Sequence, residues 1–229
     1  MKSFLLMSMT AFLVFSCSAD QDYNSEIVNT VVPNANEKGI NAFNKFNPFE
    51  QTGINFYNDL DFYVSKYGYP SSNEHLIDQV FFLLAKRGDS KMTGKSVITI
   101  TPELISLILS DPEGKLVEII NDSDLSIAVK TNLNEFVADL ISRAQDDYDE
   151  VYEHIVSYEA AVVVDSILEE DEKDTILKVS SISRYSLYAE ARQRDPDWKT
   201  SVTNRPSVPF LKENQMTYIN LTVLLNAIK

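Results

Sequence analysis

Apolar side chains in this chain recur every three or four residues, and segments with this spacing follow one another from Pro48 towards the C-terminus. That spacing is typical of amphipathic helices. The best strand candidate is residues 96–100, and one isolated strand cannot form a sheet. The sequence therefore predicts an all-α fold.

Short polar signals mark where several of the helices begin. Ser71 and Glu74 have the spacing of a capping box, in which each side chain binds a backbone N–H at a helix start. Residues 101–103 (Thr-Pro-Glu) and 111–113 (Asp-Pro-Glu) each combine a capping side chain, a proline in the first turn and an acid. Ser123 is a further candidate cap. These signals predict short helices in series.

Acidic residues are concentrated in one part of the chain. Residues 145–172 contain eleven acidic residues and no Lys or Arg, whereas residues 173–229 contain nine basic and five acidic residues. One interpretation of the acidic segment is a solvated helix face with ion pairs. The other is that its excess of negative charge binds a cation or a basic partner.

The same region predicts a long helical hairpin. Two helical segments separated by the acidic residues 169–172 would pack antiparallel, with contacting residues whose numbers sum to about 341. This register places Arg192 near Asp149 and Arg194 near Asp147. The last apolar segment, which begins near Met216, is expected to dock on the domain as a closing helix.

The first seventeen residues have the composition of an export signal. An apolar stretch from Phe4 to Phe15, too short to span a bilayer, is followed by the small Ser16 and by Cys17, the single cysteine. Val14-Phe15-Ser16-Cys17 resembles the lipobox of bacterial lipoproteins. In that family the Cys thiol is diacylated and the signal is cut before it, and two or more acyl chains give a stable anchor. The resemblance implies that Cys17 is a lipid attachment site.

The residues after Cys17 predict the destination. Lipoproteins of Gram-negative bacteria with Asp at the next position stay in the inner membrane, whereas Ser18 favours the outer membrane, on its periplasmic or its surface face. Residues 18–47 are rich in Asn, Asp and Ser without apolar periodicity, which predicts a flexible tether. The expected organisation is a signal peptide at residues 1–16, an acylated tether at 17–47 and one all-α domain at 48–229.

The chain offers little material for metal or catalytic chemistry. His75 and His154 lie in separate helical segments, so no metal or cofactor is expected. Paired acids such as Asp146 and Asp147, or those at 169–172, would support acid–base chemistry only in a cleft that raises one pKa. The formal net charge of −14 argues against a nucleic-acid partner, because phosphates bind basic surfaces.

One segment, residues 180–188 (SSISRYSLY), has more polar side chains than a plain core helix needs. Its small serines would let another helix approach closely. In that interpretation Arg184 forms an ion pair with Glu153 or Glu159.

The alternative interpretation is a groove for a sugar or a peptide, since aromatic and Arg side chains dominate recognition surfaces. Residues 181–188 together with Asp197-Trp198 resemble a stretch of small helical lipoproteins of Gram-negative bacteria, a resemblance that implies no particular activity. The residues expected to line the groove are Arg184, Tyr185, Tyr188, Trp198 and Arg205.

These features favour a function without catalysis. We expect an outer-membrane lipoprotein, held by its acyl chains, whose helical domain binds a protein or glycan of the envelope. Two alternatives stay open: a hydrolase that uses clustered carboxylates, and an envelope toxin or immunity protein.

Overall fold

The structure, a computed structural model, describes residues 41–86, 101–194, 211–212 and 214–227. Within these ranges the chain forms eight α-helices and no strand, which confirms the predicted all-α fold. The strand candidate at residues 96–100 lies outside them. The helices are α1 (Glu50–Tyr67), α2 (Asn73–Lys86), α3 (Pro102–Ser110), α4 (Pro112–Asp122), α5 (Ile127–Ser142), α6 (Tyr148–Val164), α7 (Glu170–Arg194) and α8 (Gln215–Ala227).

Side-chain caps begin several of these helices. Thr101 and Asp111 cap α3 and α4 as predicted, each accepting the backbone N–H three residues later at 3.0–3.2 Å. Ser72 makes the same contact at the start of α2, one residue later than the predicted cap. Ser126, not Ser123, caps α5, while the hydroxyl of Ser123 donates to a carbonyl in the last turn of α4. The local signals therefore predict that these helices exist, but they predict the exact first residue of a helix less well.

The central helix of the domain is α7. It packs against α1, α6 and α8, and α8 also contacts α3 and α4. Between Ile176 and Tyr188 every α7 side chain except that of Lys178 is buried, because neighbours surround the helix. Four of these buried residues are serines, whose small volume leaves room for the surrounding helices: Ser180, Ser181, Ser183 and Ser186.

The hairpin of α6 and α7 has the predicted register in its middle. Glu159 of α6 accepts a hydrogen bond from the Ser180 hydroxyl at 2.9 Å and lies 3.3 Å from Nη2 of Arg184. These two residues flank position 182, the predicted partner of Glu159. The pairing rule therefore holds where the helices are packed.

The helix α1 comes very close to α7 at Gly53. The N–H of Gly53 donates to Ser181 Oγ at 3.2 Å. A Cβ at position 53 would overlap Cδ2 of Tyr185 and lie 2.8 Å from the carbonyl oxygen of Ser181. The small serines of residues 180–188 therefore let α1 pack closely against α7, as predicted. The close contact requires Gly at position 53 of α1.

We expect Gly53→Ala to lower the free energy of unfolding by about 1–2 kcal/mol, because overpacking outweighs the gain in helix propensity. Urea denaturation followed by circular dichroism measures the difference. Asn55→Ala, at an exposed position of the same helix, is the control and should change stability by less than about 0.5 kcal/mol. Equal stability of Gly53→Ala and the unaltered protein would contradict the close approach.

The segment before α1 belongs to the helical domain. Ala42, Asn44 and Asn47 are at most 4% exposed. The side-chain amides of Asn44 and Asn47 donate to Glu159 at 2.6 and 2.7 Å. The predicted tether boundary is therefore wrong for residues 41–47, because their polar side chains bind a buried carboxylate that local composition does not reveal. The rest of the predicted tether and the predicted signal peptide lie outside the described residues.

Candidate functional site

Three of the five predicted ligand-binding residues are buried in the core. Arg184 and Tyr185 have no exposed surface, and Tyr188 is 5% exposed. The prediction that they line an open groove is therefore wrong, because α7 is covered on all sides. Trp198 and Arg205 lie outside the described residues.

The guanidinium of Arg184 lies between two carboxylates. Its Nη2 is 2.6 Å from Oε2 of Glu50 and 3.3 Å from Oε1 of Glu159, and its Nη1 donates to the carbonyl of Ala42. Of the two predicted partners, Glu159 is confirmed by this contact. Glu50 is an additional partner that the local sequence does not indicate.

Neutral donors complete this ion cluster. The hydroxyl of Tyr185 donates to Oε1 of Glu50 at 2.6 Å, and Asn44, Asn47 and Ser180 donate to Glu159. Burial and the contact with Glu50 raise the pKa of Tyr185, so its hydroxyl stays protonated and keeps donating. The cluster holds one positive and two negative charges, and these donors stabilise the excess negative charge. It fixes the chain before α1 against α6 and α7.

A second buried carboxyl group lies where α7 meets α8. Oε1 of Glu190 accepts the backbone N–H of Thr217 at 2.6 Å and its hydroxyl at 2.9 Å, in the first turn of α8. Nη2 of Arg194 is 3.3 Å from Oε2. Burial raises the pKa of Glu190 from its ordinary value of 4.5 to about 7, although Arg194 and Thr217 lower it. Glu190 thus caps α8 with a group that titrates near neutral pH.

Glu190 also lines a small crevice formed mainly by α1 and α7. The cavity measures about 30 Å³, enough for a water-sized group. Gln79 of α2 is part of its lining and has no exposed surface. Neither Oε1 nor Nε2 of Gln79 has a hydrogen-bond partner among the described residues. We name this cavity the Gln79 crevice; its lining also includes Tyr57, Leu60, Asp61, Val64, Arg192 and Gln193.

The carboxylates considered for a hydrolase lie on the surface. Asp146 and Asp147 are exposed and line a cavity of about 440 Å³ near the start of α6. Glu172, in the other acidic group, accepts a hydrogen bond from the hydroxyl of Ser126, which lowers its pKa. Neither acidic group has the burial that raises a carboxyl pKa for acid catalysis.

The contacts predicted near the end of α7, of Arg192 with Asp149 and of Arg194 with Asp147, stay predictions. Arg194 lines the same cavity as Asp147 and Asp149. Arg192 donates to the hydroxyl of Tyr57 on α1 at 2.7 Å. The end of α7 therefore faces both α6 and α1.

The two histidines lie on separate helices, α2 and α6. The ring of His75 is 5.9 Å from that of Tyr63, and Nε2 of His154 is 3.4 Å from Oδ2 of Asp139. Among the described residues, no group of three or more His, Cys, Asp or Glu side chains has a metal-binding arrangement.

Exposed apolar side chains gather at one end of the hairpin. Val164 and Ile167 are 78% and 83% exposed where α6 is joined to α7, and Ile127 is 84% exposed at the start of α5. The hydroxyl of Ser126 donates to Glu172, which holds the start of α5 beside the start of α7. The hairpin tip is defined here as Ile127, Val163, Val164 and Ile167.

A second exposed surface lies on α1 and α2. The rings of Phe62 and Phe82 stack with their centroids 5.9 Å apart, and Phe62 is half exposed. Nζ of Lys86 lies 5.7 and 5.6 Å from the centroids of these two rings. This surface therefore carries aromatic rings and a positive charge, whereas the chain as a whole has a net charge of −14.

Comparison with known proteins identifies no relative. No family model, curated protein or solved structure matches this chain. None of the helices in the described ranges is both long enough and apolar enough to cross a membrane. The function is therefore argued from the residues themselves.

Proposed function

We propose that the protein is a lipoprotein anchored in the outer membrane through acyl chains on Cys17, and that its helical domain binds an envelope protein without catalysis. The anchor is supported by the lipobox-like residues 14–17. The single observation that supports the binding function is the exposed hairpin tip.

The hairpin tip has the properties of a docking surface. Three of its four aliphatic side chains are 78–84% exposed, at the end of α6, in the connection to α7 and at the start of α5. Contiguous exposed apolar side chains mark interaction sites on soluble domains. Burial of one such side chain in a partner is worth about 1.5–3 kcal/mol.

The charges around the hairpin tip favour a basic protein as partner. Glu169, Glu170 and Asp171 follow the tip directly and are exposed. They would repel the anionic headgroups of a membrane and attract Lys and Arg at the rim of an apolar protein surface. The partner proposed is therefore a protein with a basic rim.

The described part of the chain begins at the end of α6 that is opposite the hairpin tip. The hydroxyl of Tyr148, at the start of α6, donates to the carbonyl of Asn41 at 3.1 Å. The tip lies at the other end of α6, whose 17 residues span about 25 Å. Asn41, the first described residue, therefore lies at the opposite end of α6 from the tip.

Acylation is tested by the intact mass of the protein isolated from membranes. We expect a mass that starts at Cys17 and includes acyl chains, and we expect Cys17→Ser to remove the lipid and release the protein from the membrane fraction. An unmodified Cys17 would contradict the anchor. Protease treatment of whole cells separates a surface from a periplasmic location.

Partner binding is tested with a photo-cross-linking amino acid at position 167 in living cells. We expect a protein adduct whose yield falls at least tenfold when Ile127 and Val164 are both replaced by Ser, because the loss of two buried apolar contacts weakens binding by about 100-fold or more. Leu107→Ser, at a half-exposed apolar residue of α3, is the matched control. Adducts to lipid alone, or a yield that the tip substitutions do not change, would contradict the proposal.

A further inference from the structure

The aromatic surface of α1 and α2 is accessible to an outside partner. Phe62 and Tyr67 are each 50% exposed, and the ring of Phe62 stacks on that of Phe82. Nζ of Lys66 lies 6.0 and 5.0 Å from the ring centroids of Phe62 and Tyr67. Lys86 contacts the rings of Phe62 and Phe82 in the same way. We name Phe62, Lys66, Tyr67, Phe82 and Lys86 the aromatic–lysine surface.

Aromatic rings beside lysine ammonium groups are a combination that suits the surface of a lipid bilayer. The rings lie at the boundary between headgroups and acyl chains, and the long lysine side chains let their ammonium groups reach the lipid phosphates. Asp61 and Asp78 are exposed on the same two helices. Net charge therefore contributes little, and the rings supply most of the affinity.

The direction of α1 places the aromatic–lysine surface away from the hairpin tip. Gly53 contacts Ser181 in the middle of α7, and Tyr57 contacts Arg192 near the end of α7. The two helices therefore run in the same direction, and α7 begins next to the tip. The aromatic–lysine surface follows Tyr57 on α1, so it lies towards the end of the domain where Asn41 is found.

The covalent link to Cys17 limits how far this end of the domain can be from the bilayer. Positions 17 and 41 are 24 residues apart, a distance of at most about 85 Å even for a fully extended chain. Such a link raises the effective concentration of lipid at the domain, so that a weak contact becomes populated. In this step the inference rests on the proposed anchor.

We propose that the aromatic–lysine surface docks on the lipid bilayer that holds the anchor. The rings of Phe62 and Tyr67 lie at the headgroup boundary, and the ammonium groups of Lys66 and Lys86 bind lipid phosphates. Docking at this end of the domain turns the hairpin tip and its acidic residues away from the bilayer. The acyl chains and the aromatic–lysine surface together orient the domain, so that the tip is presented to its protein partner.

The test measures contact between this surface and lipid by fluorescence. The chain from residue 17 is coupled through Cys17, its single cysteine, to a maleimide lipid in vesicles of phosphatidylcholine and phosphatidylglycerol. Phe62→Trp is introduced together with Trp198→Phe, which removes the one natural Trp. We expect blue-shifted emission that brominated acyl chains quench. Ile127→Trp, at the hairpin tip in the same background, should show neither effect.

Charge reversal separates specific docking from a general effect of net charge. Lys66→Glu with Lys86→Glu should lower the ratio of docked to undocked molecules at least about 30-fold, because each lysine near an anionic bilayer contributes about fivefold. Lys115→Glu with Lys178→Glu makes the same change in net charge on α4 and α7. This control pair should leave the quenching unchanged.

Three results would overturn the inference: no quenching at position 62, equal quenching at positions 62 and 127, or equal losses in the two pairs of lysine variants. Because Cys17 is coupled chemically, none of these results depends on whether the cell acylates it. An unmodified Cys17 in the native protein would contradict the anchor alone, so the failure of the anchor and the failure of docking are distinguishable.

Discussion

Replacing Arg184 by Met is expected to lower the free energy of unfolding by about 3–5 kcal/mol, a large part of the 5–15 kcal/mol typical of a domain. The substitution keeps an unbranched apolar side chain but removes the charge between Glu50 and Glu159. Two carboxylates would then face each other in the core without a cation. Urea denaturation at neutral pH measures the loss.

A matched control distinguishes the buried ion cluster from an ordinary ion pair. Arg143 lies 3.2 Å from Asp146, and both side chains are about one-third exposed. Arg143→Met should therefore cost less than about 1 kcal/mol, because solvent screens such pairs. Losses of similar size in the two variants would contradict a special role for Arg184.

Removing all the charges of the cluster gives a second test. If the cost of Arg184→Met comes from unpaired carboxylates, then adding Glu50→Gln and Glu159→Gln should recover at least about 2 kcal/mol. The amide at position 50 keeps an acceptor oxygen for the hydroxyl of Tyr185. The amide at position 159 keeps one acceptor for Asn47 and Ser180 but loses the one that Asn44 uses, so the recovery is expected to be incomplete. No recovery would show that Arg184 stabilises the domain through packing alone.

The sequence predicts those parts of the fold that depend on local interactions. Thr101 and Asp111 cap their helices because a capping side chain needs only the backbone N–H three residues away. The hairpin register is also predictable, because two helices joined by a short turn pack antiparallel. Ser126 replaces Ser123 as the cap of α5, since neighbouring polar residues offer competing helix starts.

The roles of residues on α7 could not be predicted from local pattern. The interpretation of Arg184, Tyr185 and Tyr188 as a recognition surface assumed a helix with one exposed face. In the structure α7 is surrounded, and Arg184 binds Glu50 from 134 positions away. From sequence alone, a polar segment of a buried central helix looks like a binding surface, because the residues that pair with it are far away in the chain.

The burial of Gln79 also could not be predicted from the local sequence. In sequence Gln79 is one polar residue between Asp78 and Val80 in an amphipathic helix, and nothing marks it as buried. Its environment depends on α1 and α7 as well as on its own helix. Buried polar positions of this kind result from tertiary packing, so a single sequence does not reveal them.

The pH dependence of stability is expected to report on Glu190. Its pKa of about 7 in the folded protein, against 4.5 ordinarily, means that the folded state holds a proton that the unfolded state has released between these values. The stability that proton binding by Glu190 contributes to the folded state is therefore fully present below about pH 4.5 and is lost as the pH rises to about 7. The total corresponds to about 3 kcal/mol, because one pKa unit is worth about 1.4 kcal/mol.

Comparison with Glu190→Gln isolates this effect from the titration of other groups. The Gln variant has no proton to lose, so the difference in unfolding free energy between the two proteins should change by about 2–3 kcal/mol from pH 5 to pH 8. The unaltered protein should be relatively less stable at the higher pH, where a charged carboxylate is buried beside the first turn of α8. Its contacts with Thr217 and Arg194 reduce this cost but do not abolish it. A difference that stays constant with pH would show that the folded state does not hold this proton, and that Glu190 caps α8 as an ordinary carboxylate.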